Sequence, residues 1–157
     1  MADVALRHIE DADLDPLFEM MRDPDSVRMA AFTAPDPDDR AAFDAHTARI
    51  RAAPDTLLRA VTLDGRFVGT VGSYVMDGDT EVTYWIDRAV WGKGVGSSAL
   101  TLLLDTVRTR PLKARAASDN LGSLRVLQKA GFVVTGHDTG YARGRGADIE
   151  ETILRLT

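Results

Sequence analysis

Three glycines in five residues constrain this chain more than any other feature. Gly92, Gly94 and Gly96 sit in the run Trp91-Gly92-Lys93-Gly94-Val95-Gly96-Ser97-Ser98. An amphipathic helix pattern begins at once, with Leu100, Leu103, Leu104 and Val107 at i, i+3, i+4 and i+7. Bare amides leading into a helix N-terminus form a cradle for an anion, most often phosphate, because the N–H groups and the helix dipole point the same way.

The chain has 157 residues, which suits one domain over 1–157 and is long enough for an ordinary core. Its formal net charge of −5 argues against nonspecific nucleic-acid binding and mildly favours a cationic partner. There are no cysteines, so disulfides, Cys-based zinc sites and a Cys nucleophile are excluded. No basic-then-apolar leader and no apolar run of about 18 residues is present, so the expectation is a cytoplasmic protein without a membrane span. His8, His46 and His137 show no metal-ligand spacing, and no metal site is expected.

Along the chain, Val4 to Ile9 reads as a strand and Asp11 to Met21 as a helix, with Leu14, Leu17, Phe18 and Met21 on one face. Arg22 to Asp36 is irregular, with room for one short helix. Asp38 is the expected cap of a helix to about Ala52. Strands follow at Thr56–Leu63, Arg66–Val75 and Thr80–Ile86, joined by the turn signals Asp64-Gly65 and Asp77-Gly78. After the glycine run come a helix to about Arg108 and a strand at Leu112–Ser118. Asn120 caps a further helix that Gly131 ends. Phe132–His137 and Ile149–Leu156 are the last strands, with a Gly/Arg-rich, mobile stretch expected at Gly140–Gly146. The order predicts a mixed α/β (α+β) domain: an antiparallel meander, then β-α-β crossovers.

A P-loop reading of the glycine run fails, because Lys93 is not followed by Ser or Thr. A dinucleotide fingerprint, Gly94-Val95-Gly96-Ser97-Ser98-Ala99, matches in letters but follows a meander rather than the first strand of a parallel sheet. The wider context fits something else. Tyr84-Trp85-Ile86-Asp87-Arg88-Ala89-Val90-Trp91 followed by the glycine run resembles the acetyl-CoA motif of the GNAT N-acetyltransferases. Asn120-Leu121-Gly122-Ser123 with Gln128-Lys129-Ala130-Gly131-Phe132 is similar to the second motif of that superfamily, in the form usual for its ribosomal-protein (Rim-type) branch. The resemblance covers about Asp79 to Val133. Trp91 replaces the first residue of the superfamily's (Q/R)-x-x-G-x-(G/A) pattern, and an aromatic there is usual in the Rim-type branch. Many members carry a Tyr in the later helix that protonates the leaving thiolate; Leu127 stands at that place, so this role does not carry over.

The resemblance implies a GNAT fold: a central, mostly antiparallel sheet of six to seven strands flanked by helices, splayed between the fourth and fifth strands. It implies acetyl-CoA as acetyl donor. The pyrophosphate would rest on the amides of Gly92, Lys93, Gly94, Val95, Gly96 and Ser97, beside Trp91, with Lys93 adding charge. The pantetheine arm would pair with main-chain groups of Tyr84, Trp85 and Ile86. Ala114, Ala116, Ala117 and Ser118 on the neighbouring strand would leave it room, or would pack against a close helix. Asn120 would touch the arm as well as cap its helix. Glu81 is the candidate base that takes a proton from the amine, alternating with Thr83 and Trp85 on one strand face. Ser123 is the candidate donor to the leaving sulfur.

The implied reaction is direct attack of a primary amine on acetyl-CoA in a ternary complex. A protein N-terminal amine is the acceptor that the Rim-type resemblance favours. A small amine, such as a polyamine or aminoglycoside, and a non-catalytic acyl-CoA-binding module are the alternatives. Residues 22–33 and 136–145 should line the acceptor side, with Tyr141, Arg143 and Arg145 at its border. The implied assembly is a monomer or homodimer.

Overall fold

The computed structural model describes residues 2–157. Strand β1 (Val4–His8) leads to α1 (Leu14–Arg22), α2 (Pro24–Ala30) and α3 (Arg40–Ala52). The meander follows as β2 (Leu57–Leu63), β3 (Arg66–Met76) and β4 (Asp79–Ile86). Helix α4 (Val95–Thr106), β5 (Leu112–Ala117), α5 (Leu121–Lys129), β6 (Val133–Ala142) and β7 (Ala147–Leu156) complete the chain.

The strands form one seven-stranded sheet in the order β1-β2-β3-β4-β5-β7-β6. Every neighbouring pair is antiparallel except β4 and β5, which run parallel. The two hairpin turns are driven by their residues. Asp64 and Gly65 take φ of 50° and 84°, and Asp77 and Gly78 take 53° and 83°, the left-handed pair that matches strand twist.

Alternation divides the sheet into two faces. Val82 and Ile86 point into the main core with Val61, Val68, Val71, Leu112 and Leu154, and α4 and α5 close it with Leu100, Leu103 and Leu127. Each such side chain, fully withdrawn from water, contributes roughly 1.5–3 kcal/mol. The opposite face carries Glu81, Thr83 and Trp85, and the Trp85 indole N–H donates to the Met20 carbonyl of α1 at 3.3 Å. Ala31, just past α2, packs on Ala117, Ala142 and Ile149 of that face. Two of the small residues of β5 are packing positions: Ala114 belongs to the main core and Ala117 seats the end of α2.

Several boundaries differ from the sequence expectation. The first helix begins as a 3-10 turn at Asp11–Asp13 before α1. The cap of α3 is Asp39, whose carboxylate accepts from the Ala42 amide at 3.0 Å; Asp38 instead pairs with Arg22 at 2.9 Å. Helix α4 stops at Thr106, short of Arg108, because Val107 turns extended. The largest correction concerns Gly140–Gly146. It is no open loop: β6 and β7 pair up to Ala142 and Ala147. The tip is pinned where the Gly144 amide donates to the Ala31 carbonyl at 2.8 Å.

Candidate active site

The parallel joint between β4 and β5 registers only Thr80 with Leu112 and Glu81 with Lys113. Beyond Glu81 the two strands part, although β4 stays paired to β3 through Ile86 and β5 stays paired to β7 through Ala117. Residues 82–86 of β4 therefore present a free backbone edge to a wedge-shaped opening. This is the splay expected between the fourth and fifth strands. One edge group is already engaged: the Ile86 carbonyl accepts the indole N–H of Trp91 at 2.8 Å. Trp91 thereby ties the glycine loop to the end of β4, while the residue stays 41% exposed.

The loop itself is built from left-handed glycines. Gly92 and Gly94 take φ of 77° and 78°, a region that costs a side-chain-bearing residue dearly. Gly94 caps α4 without any side-chain hydrogen bond. The amides from Gly92 to Ser97 find no hydrogen-bond acceptor among the described residues; the first satisfied amide is that of Ser98, on the Gly94 carbonyl. Unmet donors at a helix N-terminus attract an anion. Lys93 is exposed on the same loop.

Across the wedge, Asn120 caps α5, its Oδ1 accepting from the Ser123 amide at 3.2 Å. Its Nδ2 reaches the Met29 carbonyl at 3.4 Å, so the cap also ties α5 to α2. Ser123 Oγ lies 2.5 Å from the Tyr84 hydroxyl. Burial pushes the Tyr84 phenol above its ordinary range, with the hydrogen bond to Ser123 pulling weakly the other way. Leu127 is fully buried in the core, so that helix position has no part at the opening.

Glu81 sits at the apex, the last β4 residue joined to β5. It is buried, its side chain only 3% exposed, and Oε1 accepts from Arg115 Nε at 3.2 Å. The same guanidinium reaches Glu151 of β7 at 3.4 Å. Two carboxylates thus share one cation. Burial pushes the Glu151 carboxyl up, Arg115 pulls it back, and Asp138 and Glu81 raise it further. Arg115 and Glu151 were not candidates from sequence. They come from strands 34 and 70 positions beyond Glu81, and only the sheet order brings them together.

On the mouth of the wedge lies a groove of about 510 Å³ between Arg88 and Trp91 at the end of β4, Asp119 after β5, Asp25, Arg28 and Met29 of α2, and Arg145 of the hairpin tip. It draws on both segments expected to line the acceptor side. Its walls are braced by ion pairs. Arg145 clasps Asp119 through two bonds of 2.7 and 2.8 Å, and the Asp119 carboxyl is held below its ordinary range by that contact. Arg88 clasps Asp23 at 2.8 and 3.1 Å, and with the Ser26 amide it lowers the Asp23 carboxyl to about 2. Arg145 is thus committed to the wall, whereas Tyr141 and Arg143 are exposed.

Relatives place this architecture. The chain is 35% identical over 88 residues to Probable N-acetyltransferase YjcK of Bacillus subtilis, an alignment spanning 51% of this chain and 46% of that protein. The chain therefore spans about half the length of the curated relative it matches. Among solved structures it resembles a GNAT superfamily phosphinothricin acetyltransferase from Sinorhizobium meliloti in complex with AcCoA, with a TM-score of 0.82 at 18% identity over 98% of this chain and 87% of that one. It also resembles Mycobacterium smegmatis RimJ in complex with CoA-disulfide, with a TM-score of 0.79 at 23% identity over 98% and 81%. At such identities the likeness establishes the fold. The family model of the acetyltransferase (GNAT) domain matches residues 3–133, taking in the meander, the splayed edge, the glycine loop and α5, and the chain belongs to that family.

Proposed function

We propose that residues 1–157 act as one N-acetyltransferase domain that moves an acetyl group from acetyl-CoA to a primary amine, with a protein N-terminal amine as acceptor. One observation carries this reading: a free β4 edge is followed, after a short 3-10 turn at Arg88–Val90, by a loop whose amides, Gly92 to Ser97, have no acceptor among the described residues. A long ligand with an amide-bearing arm and a pyrophosphate fits both features at once. The arm supplies groups that pair with an open strand, and the pyrophosphate supplies oxygens for helix-end donors. The related fold from Sinorhizobium meliloti is described with AcCoA, which supports the same donor.

The chemistry follows from the residues at the wedge. The thioester carbonyl lies along β4, and a free N–H of that edge stabilises the oxyanion as the amine attacks. The nitrogen must first shed a proton, since an ammonium has no lone pair. Glu81 takes it, directly or through water. A carboxylate is a weak base for an amine, so Glu81 contributes by its position at the apex. The C–S bond then breaks, the electron pair stays on sulfur, and Ser123 donates a hydrogen bond to the thiolate. Asn120 and Trp91 frame the arm, and Lys93 adds charge at the phosphates.

The acceptor enters through the groove between α2, Trp91 and the hairpin tip. A protein N-terminus is favoured by the Trp91 and Asn120–Ser123 patterns, which match the Rim-type branch, and the chain's net charge of −5 suits a cation. A cytoplasmic location accords with such a substrate, and no helix among the described residues is long and apolar enough to cross a membrane. The test is acetyl transfer to a panel of N-terminal peptides, polyamines and aminoglycosides with labelled acetyl-CoA. Label on peptide α-amines supports the reading; label confined to small amines overturns the acceptor assignment.

A further inference from the structure

We propose that Tyr84 is a positioning residue of the transfer reaction: its phenol holds the Ser123 hydroxyl so that the serine's own hydrogen faces the leaving sulfur. This rests on the acetyl-transfer reading above and assigns a role to a side chain that reading leaves unused.

After Glu81 and Lys113 no backbone pairing joins β4 to β5. Tyr84 stands three residues beyond that apex, on the α5 side of β4, packed against the main core. Its hydroxyl crosses to the first turn of α5 and meets Ser123 Oγ at 2.5 Å, with the Ser123 carbonyl further off at 3.3 Å. Ser123 Oγ has no other hydrogen-bond partner among the described residues. Its amide is occupied by Asn120 Oδ1, which fixes the backbone of that turn.

Either hydroxyl can donate in this contact; we take the phenol, the stronger acid, as donor to Ser123 Oγ, with the Ser123 carbonyl as a second, longer acceptor. That orientation fills one lone pair of the serine and leaves its hydrogen undirected by the protein. The wedge is the space toward which it can turn. A donor that is itself accepting a hydrogen bond is a stronger donor. Tyr84 thus polarises and orients Ser123.

The proton balance limits the role to positioning. A thiolate has an ordinary conjugate-acid pKa of about 8.5 by analogy with cysteine, and a phenol about 10. Burial carries the Tyr84 phenol higher still. Moving a proton from Tyr84 through Ser123 to sulfur would run uphill and leave a buried phenolate. The pair therefore donates hydrogen bonds without giving up a proton. The C–S bond breaks, sulfur keeps the electron pair, Ser123 O–H bonds to the thiolate, and the thiol is completed later from water.

The test is a double-mutant cycle on Tyr84→Phe, Ser123→Ala and the pair, reading kcat, KM for acetyl-CoA and, by calorimetry, CoA affinity. Tyr84→Phe is expected to lower kcat about tenfold while KM and CoA affinity change less than twofold. With Ser123→Ala already present, Tyr84→Phe should cost less than twofold further. Equal losses from Tyr84→Phe in both backgrounds, or a change confined to KM, would overturn the proposal. Because loss of the phenol can disturb the core, Ser123→Ala provides an independent arm: an unchanged kcat in that variant overturns the proposal regardless of how Tyr84→Phe folds. A wild-type chain that binds CoA but transfers nothing would instead fail at the level of the acetyl-transfer reading, and this inference would fall with it.

Discussion

A single backbone angle decides what the glycine loop tolerates. Gly94 has φ of 78° with nothing within 4 Å of where a Cβ would stand, so its constraint is conformational rather than steric. Gly96 lies in the first turn of α4, where an added Cβ would meet Val126 at 3.7 Å, an ordinary contact. The two substitutions should therefore separate. Gly94→Val is expected to cost about 1–3 kcal/mol in strain and to weaken CoA binding at least tenfold. Gly96→Val keeps an allowed helical backbone and should cost less stability than Gly94→Val, while crowding of the turn proposed to meet the pyrophosphate weakens CoA binding by a similar factor. Chemical denaturation and calorimetry read both; unaltered CoA affinity in Gly96→Val removes the pyrophosphate from that turn. Glu81→Gln belongs to the same scale. The change leaves Arg115 with Glu151 alone and should cost about 2 kcal/mol, since bonds to charged groups are worth more than neutral ones. It should also lower turnover, with the deficit shrinking as pH rises and free amine becomes abundant. A pH–rate profile identical to wild type takes Glu81 out of the mechanism.

Elements here are joined by ion pairs whose pH dependence has a definite sign. Asp13, nearly buried before α1, accepts from Arg7 of β1 at 2.7 and 2.8 Å and from the Glu10 amide at 2.8 Å. These contacts hold its carboxyl below the ordinary range. A depressed folded pKa means stability that is present above the unfolded value of about 3.9 and lost as pH falls through the lower folded value. Asp13→Asn should accordingly cost about 2 kcal/mol at pH 7 and much less near pH 2. Equal losses at both pH values in urea denaturation would contradict the pairing. The legibility of elements tracks how local their causes are. The hairpin turns, the Asn120 cap and the Gly131 stop were readable because each is set by a few adjacent residues. Sequence points to Asp38 and the structure caps α3 with Asp39, because the two are equally suited and Arg22 draws Asp38 away. The ordering of Gly140–Gly146 was unreadable, because it depends on Ala31 and Asp119, far away in the chain.

At the scale of the whole molecule, the sheet does two jobs with one defect. Strands β2 to β4 form a meander and β6–β7 a hairpin, and the interruption between β4 and β5 opens the place where a ligand can complete the hydrogen bonding. The motifs that flank the opening made it foreseeable. What surrounds the opening was not: the Arg115 bridge between Glu81 and Glu151 and the Tyr84–Ser123 contact both join strands or helices that only tertiary folding brings together. The groove's outer wall hangs on Arg145 and Asp119, so Arg145→Ala should loosen the hairpin tip from α2. Its expected signature is a several-fold rise in KM for the amine with KM for acetyl-CoA little changed; a matched rise in both would move the acceptor elsewhere. The central claim is amine-dependent acetyl transfer at this wedge, and it is tested most directly by following release of free CoA thiol from acetyl-CoA over N-terminal peptides and small amines. The account predicts thiol release that requires an amine and is lost in Gly94→Val. Tight CoA binding with no amine-dependent release across the whole panel would contradict it, and would mark the domain as a non-catalytic acyl-CoA-binding module.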